Sequence, residues 1–170
     1  WAIAGHQVEL LTQDGLRIAP TDFKVDWHQD AKTATVNGNS SASFLDLAAL
    51  GRLASYLPLD THSRELLLRH RPQGRISELR ASWVLDGENL TRYSLKAGFQ
   101  ELGIEADHYF PGASGVSGNV DLTEKGGVLA LDSGTSSVSL PAVFPEPEIS
   151  LNALKAKASW KTTPQAIDIK

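Results

Sequence analysis

Apolar and polar side chains alternate one for one through most of this chain. Phe23, Val25 and Trp27 alternate with Asp22, Lys24, Asp26 and His28. Leu79, Ala81, Trp83 and Leu85 alternate with Arg80, Ser82 and Asp86, and Tyr93, Leu95, Ala97 and Phe99 with Ser94, Lys96 and Gln100. Further on, Val116, Val120 and Leu122 share a parity, then Leu129 and Leu131, then Leu154, Ala156, Ala158 and Trp160. A period of two is the repeat of a strand with one apolar and one wet face. Turn dipeptides punctuate the runs: Asp14-Gly15, Asn37-Gly38, Asp86-Gly87, Pro111-Gly112 and Gly126-Gly127. The stretch from Val116 to Leu131, turning at Glu124-Lys125-Gly126-Gly127, is the clearest hairpin.

One segment changes period. Between Asp46 and Arg71, Leu50, Leu53, Ala54 and Leu57 recur at helical spacing, with Asp46 placed as N-cap and Pro58 as stop. A second helix is expected from Asp60 or Thr61, carrying Leu66 and Leu67 and ending before Pro72. The layout is therefore mostly β, with strands over 5–44, a helical pair over 46–71 and strands over 74–170. Ser133 to Pro147, rich in Ser, Gly and Pro, reads as irregular edge structure. An apolar sheet face must be covered by a second layer, and the helical pair is too small to cover so many strands. Either the sheet closes on itself as a sandwich or it curls and leaves a slot; the small residues Ala81, Ala97, Gly118, Ala156 and Ala158 favour the slot.

Composition narrows the chemistry. The 170 residues carry a net charge of −4 with interspersed signs, which gives no nucleic-acid footprint. There are no cysteines, so disulfides, thiolate metal sites and a Cys nucleophile are excluded. Trp1 in the first position and the absence of Met read as an internal segment of a longer chain, any anchor or leader lying elsewhere. No apolar run approaches the ~18 residues of a membrane span.

Three polar groupings invite a chemical reading. Asp26 and His28 flank Trp27 on the wet face, without a nucleophile or third group. Glu105, Asp107 and His108, followed by Tyr109, have metal-ligand chemistry but sit at a strand end beside Pro111-Gly112, where polar residues serve local hydrogen bonding. Arg64, Arg69, His70, Arg71 and Arg75 form a basic cluster suited to anionic head groups or to the C-terminal end of a short helix. His6, His62 and His70 lack ligand spacing, and no phosphate loop or hydrolase motif occurs. The expectation is no catalytic residue, no metal and no cofactor.

Two stretches carry a family resemblance. The first is LDLAALGRLASYLPL, Leu45 to Leu59, followed by RELLLRHRPQGRISELRASW, Arg64 to Trp83; the second is GVSGNVDLTEKGGVLALDSGTSSVSLPAVFPEPEISLNALKAKASW, Gly115 to Trp160. A helical pair ending in Leu-Pro, a Trp-ended strand, a Gly-Gly hairpin, a Leu140-Pro141 to Pro147 connection and a second Trp-ended strand follow in that order. Trp27 ends a similar strand earlier on. This order resembles the periplasmic part of YhdP-type members of the AsmA-like family.

The resemblance implies a bridge-like lipid carrier anchored in the inner membrane, with a repeating β-groove reaching across the periplasm toward the outer membrane. This chain would be a segment of that long curved antiparallel sheet. Its cargo would be glycerophospholipid, its contacts with both membranes made by parts outside the segment. The groove would be lined by Phe23, Val25, Trp27, Leu79, Ala81, Trp83, Leu85, Tyr93, Leu95, Ala97, Phe99, Val120, Leu122, Leu129, Leu131, Leu154, Ala156 and Trp160. The competing expectation is a closed β-sandwich binding or structural module of the envelope, for example for polysaccharide. A glycosidase-like enzyme comes third, since paired carboxylates cannot be assembled by parity.

Overall fold

The computed structural model describes residues 1–13, 15, 17–54, 56, 61–107, 110–146, 148–163 and 165–170. Strands β1 (Ala2–Leu11), β2 (Arg17–Gln29) and β3 (Val36–Asp46) lead into helices α1 (Leu47–Arg52) and α2 (Thr61–His70). Then follow β4 (Gln73–Asp86), β5 (Asn89–Ile104), β6 (Gly112–Thr123), β7 (Gly126–Ser133), β8 (Ser136–Ser139), β9 (Glu148–Leu151), β10 (Leu154–Thr162) and β11 (Ile167–Ile169). All belong to one 11-stranded sheet, and every pairing is antiparallel. The order is an uninterrupted meander. β7 and β8 both pair with β6, while β10 and β9 pair with β7 and β8. Each couple is thus one long strand broken at Gly134-Thr135 or at Asn152-Ala153. In this way the Ser-rich stretch, expected at an edge, supplies the interior strand β8.

The sheet does not close into a sandwich. It remains open, with β1 at one margin and β9 and β11 at the other. The chain exposes 11884 Å², whereas a compact monomer of this size exposes about 8,100 Å². The excess follows from the missing second layer. Among the described residues no large side chain is fully buried, and the buried apolar set is Ala42, Ala49, Ala54, Ala97, Phe99 and Val116.

The helical pair forms where the period changes. Asp46 caps α1, its Oδ1 accepting the Ala49 N–H at 3.0 Å, and α1 packs on β3 and β4 with Ala49 buried. The second helix carries Leu66 and Leu67 as expected, Leu66 exposed and Leu67 half-buried. The readings placed on Asp14, Leu57, Pro58, Asp60, His108, Tyr109 and Pro147 fall outside the described residues.

Two turn assignments move. Asn37-Gly38 lies inside β3, and the β2–β3 turn is instead held by Asp30, whose Oδ1 accepts from Lys32 and Thr33 N–H while Ala34 takes φ 56°. Gly126 and Gly127 both lie in β7, and the two-residue turn before them is Glu124-Lys125. Asp86 and Gly87 do end β4 and open the turn to β5, with Gly87 at φ 60°.

A line of irregularities crosses the sheet from β1 to β10. At Gln7, Glu78 and Glu101 the backbone takes positive φ (50°, 50° and 52°), and each strand gains a residue over its neighbour there. Gly115 does the same in β6 at φ 68°. A bulge frees an N–H from the ladder, and an unpaired donor is costly. At Gln7 and Glu101 a side chain of the adjacent strand takes the freed donor, and two neighbouring strand N–H groups are met in the same way. Gln7 N–H donates to Asp22 Oδ1 (2.7 Å), Asp22 N–H to Ser43 Oγ (2.9 Å), Glu101 N–H to Ser117 Oγ (3.0 Å) and Ser117 N–H to Ser133 Oγ (2.8 Å). The Thr21 hydroxyl donates to the Phe44 carbonyl at 2.6 Å. This crease divides the sheet into two panels, and α1 follows directly on the shorter one.

Candidate functional site

Ladder register shows which side chains share a face, because directly opposed residues in an antiparallel pair point the same way. Phe23, Val25 and Trp27 oppose Ala42, Ser40 and Gly38, which in turn oppose Leu79, Ala81 and Trp83. Leu85 opposes Val36 and Leu90; Ala81 and Trp83 oppose Leu95 and Tyr93. Ala97, Leu95 and Phe99 oppose Val120, Leu122 and Gly118, and these oppose Leu129, Gly127 and Leu131. Leu131, Leu129 and Gly127 oppose Ala156, Ala158 and Trp160, and Ser133 opposes Leu154. One continuous apolar face thus runs from β1 to β11. It also takes in Ile3, Val36, Ala42 and Ile169, which alternation in the sequence did not single out.

Three rings lie flat across this face. Phe23 covers Gly5, Trp83 covers Gly38 and Trp160 covers Gly127, each pair directly opposed across the ladder. A Cβ on Gly127 would stand 2.8 Å from Trp160 Cζ2, and one on Gly38 would overlap the Trp83 indole. The glycines are seats for rings, which is why Gly38 is in a strand and not in a turn. The small residues do not all leave room, either. Ala97 is buried at 6% exposure, and a Cβ on Gly118 would run into the Ala130 carbonyl oxygen. Ala156, by contrast, is exposed and Ala81 half-buried.

The other face is polar: Lys24, Asp26, Asn39, Ser41, Arg80, Ser82, Ser94, Lys96, Asn119 and Asp121 stand on it by the same registers. Asp26 accepts from Asn39 Nδ2 at 3.0 Å and pairs with Lys24 at 3.3 Å. The Asn39 hydrogen bond first, then Lys24, holds its carboxyl below the usual range. Asp22 is held low chiefly by the Gln7 N–H, with His6 beside it at 2.7 Å. Both are acceptors in use. Clefts of about 450–480 Å³ lie along this face, one lined by Glu78, Arg80, Lys96, Asn119 and Asp121, another by Lys24, Asp26, Asn39, Arg80 and Ser94.

The basic cluster and the acidic residues expected near a strand end meet each other. Arg71 pairs with Glu105 at 3.5 Å and Arg75 with Glu101 at 3.4 Å. His70 Nδ1 lies 3.1 Å from the Glu105 carbonyl oxygen, and its ring packs tilted at 46° against Phe110, centroids 4.8 Å apart. Asp107 Oδ1 accepts the Phe110 N–H at 2.8 Å. These contacts fasten the end of α2 and the start of β4 to the end of β5. Among the described residues no group of three or more His, Cys, Asp or Glu is arranged to hold a metal ion, and no helix is long and apolar enough to cross a membrane.

The family described as YhdP protein matches residues 1–170. No curated protein and no solved structure matches the chain.

Proposed function

The chain belongs to the YhdP protein family, and from that premise we propose that it is a segment of an apolar groove carrying phospholipid between the two membranes of a Gram-negative envelope. One observation carries the reading: a single open sheet presents a continuous apolar face that no second sheet covers among the described residues. Acyl chains laid on that face leave water at about 0.8 kcal/mol per CH₂. The bound lipid supplies the missing layer. No covalent chemistry is needed, and Asp26, Arg71, Arg75 and Glu105 are engaged in local hydrogen bonds and ion pairs. The segment works in the periplasm, within a longer protein anchored in the inner membrane.

Native mass spectrometry after mild extraction tests whether phospholipid stays with the protein. Photo-crosslinking groups at Ala81 or Ala156 are expected to capture it, and groups at Ser82 or Lys157 on the polar face are not. Equal capture from both faces, or capture from neither, would sink the reading.

A further inference from the structure

On the polar face, Arg80 of β4 stands directly across the ladder from Lys96 of β5. Like charges in directly opposed positions destabilise a sheet. The chain is not short of acids that could relieve this, for its net charge is −4. The carboxylates nearby serve other partners. Asp121 stands opposite Lys96 on its other side and pairs with it at 3.3 Å. Asp26 is taken by Lys24 and Asn39. The neighbour of Arg80 in β3 is Ser41, which carries no charge. Among the described residues the Arg80 side chain has neither an ion pair nor a hydrogen bond. It is a guanidinium held where it is repelled, with its fork of N–H donors unused.

Two clefts meet at Arg80. One, of about 450 Å³, crosses β4 to β7 past Glu78, Lys96, Asn119 and Asp121. The other, of about 480 Å³, crosses β2 to β5 past Lys24, Asn39, Ser41, Ser82 and Ser94. End to end they reach from β2 to β7, about 24 Å at ~4.8 Å per strand spacing, which is room for an extended ligand. No aromatic ring lines either cleft among the described residues. The stacking platforms that bind nucleic-acid bases and the anchors that hold a protein partner are therefore both missing. The lining is hydroxyl and amide, which meets hydroxyl-rich ligands as donor and acceptor. The Ser82 and Ser94 hydroxyls bond to each other at 2.7 Å, which leaves one O–H of the pair to donate outward.

We propose that the polar face binds an acidic polysaccharide laid across the strands, one carboxylate bridging Arg80 and Lys96 and ring hydroxyls meeting Asn39, Ser82, Ser94 and Asn119. A carboxylate between the two cations cancels their repulsion and matches the guanidinium fork with two parallel hydrogen bonds. The site lies on the face opposite the apolar one and stands independently of what that face carries.

The test measures binding of the intact protein to polygalacturonate, with dextran as an uncharged glycan and polyglutamate as an acidic peptide. Polygalacturonate is expected to bind, dextran not to bind detectably and polyglutamate to bind much more weakly. Arg80→Gln and Lys96→Gln are each expected to weaken polygalacturonate binding about tenfold, the loss of a charge-assisted hydrogen bond. Lys32→Gln removes the same charge at the turn between β2 and β3, away from both clefts, and is expected to change binding by less than about twofold. Equal weakening by Lys32→Gln would reduce the effect to net charge and sink the site. Binding of polyglutamate as tight as that of polygalacturonate would make this a surface for acidic peptide, and absence of polygalacturonate binding would overturn the proposal outright. Arg80→Gln is also expected to leave the urea midpoint of the free protein unchanged or raised, because the repulsion goes with the charge. A marked fall of that midpoint would make Arg80 a structural residue and refute its assignment to a ligand.

Discussion

Trp83 stands directly across the ladder from Gly38, and its indole fills the space that a side chain on Gly38 would need. A large ring on a strand can stand away from the sheet or lie down over a neighbour. Here the neighbour has been reduced to hydrogen so that the ring lies down. The same solution recurs at Phe23 over Gly5 and Trp160 over Gly127. The aromatic residues pave the apolar face where they would otherwise obstruct it.

Gly38→Val is therefore expected to destabilise the sheet by about 1–3 kcal/mol, the usual cost of overpacking, despite the better strand propensity of Val. In a Trp83→Ala background most of that cost is expected to vanish. Urea denaturation of the two single variants and the double variant measures the coupling. An equal cost in both backgrounds would mean that the ring is not what Gly38 accommodates.

At the crease, Ser133 and Ser136 are both buried at 4% exposure but differ in their hydrogen bonding. The Ser133 hydroxyl accepts the Ser117 N–H at 2.8 Å and donates to the Ser117 carbonyl at 3.2 Å. The Ser136 hydroxyl has no partner among the described residues. Ser133→Ala leaves two backbone groups unsatisfied and is expected to cost about 1–3 kcal/mol, while Ser136→Ala is expected to be neutral or slightly stabilising. Thermal or urea unfolding of the pair decides it; equal effects would mean that the serine bridge does not hold the bulge.

Acid should loosen the β1–β2 pairing. The Gln7 N–H lowers the carboxyl of Asp22 in the folded state, so its contribution is full above the ordinary Asp value of about 3.9 and is lost as pH falls through the lower folded value. Asp26 and Glu124 share that sign, the first through Asn39 and the second through its own N–H and that of Tyr93. Stability is expected to fall below about pH 4, and Asp22→Asn, which keeps an acceptor for Gln7 but no titratable group, is expected to flatten part of that fall. Urea midpoints of both proteins between pH 2 and 6 measure it, and parallel curves would refute the assignment.

Ala97 and Ala156 share the apolar face but not the same surroundings, for Ala97 is buried and Ala156 exposed. An Asp at 97 is buried without a partner and is expected to destabilise by several kcal/mol, whether or not lipid is bound. An Asp at 156 keeps its water. Ala156→Asp is expected to preserve the circular dichroism and unfolding midpoint while sharply reducing phospholipid capture. Retained capture would place the lipid away from β10.

Strand assignment was legible because one face is wet: the alternation around Trp27, Trp83 and Phe99 can be satisfied only by a half-buried strand, and register then assembled the face from those runs. The bulges were not legible. Gln7, Glu78 and Glu101 take a backbone conformation that side-chain residues rarely adopt, and nothing in a Gln or Glu announces it. What stabilises those at Gln7 and Glu101 is an oxygen on the neighbouring strand, Asp22 or Ser117, brought there only by pairing. Gly38 misled for a related reason. Asn-Gly is a strong turn signal taken locally, but its partner Trp83 lies far along the chain, and only the ladder shows that the glycine is a seat. The basic cluster looked available for head groups until the fold brought Glu101 and Glu105 against it.

The meander has a consequence for how such a molecule forms. Each long strand pairs with the strands before and after it, counting β7 with β8 and β9 with β10 as broken strands. Most ladders close across a short connection, with little loop entropy to overcome, and even the helical insertion joins two neighbours. Stability in such an array approaches a sum of nearest-neighbour contributions, as in repeat proteins. The sheet can therefore zip up hairpin by hairpin in the order in which its residues become available, each finished strand serving as template for the next. It also frays from its margins inward, and evolution can lengthen it by inserting another hairpin without redesigning what is already folded.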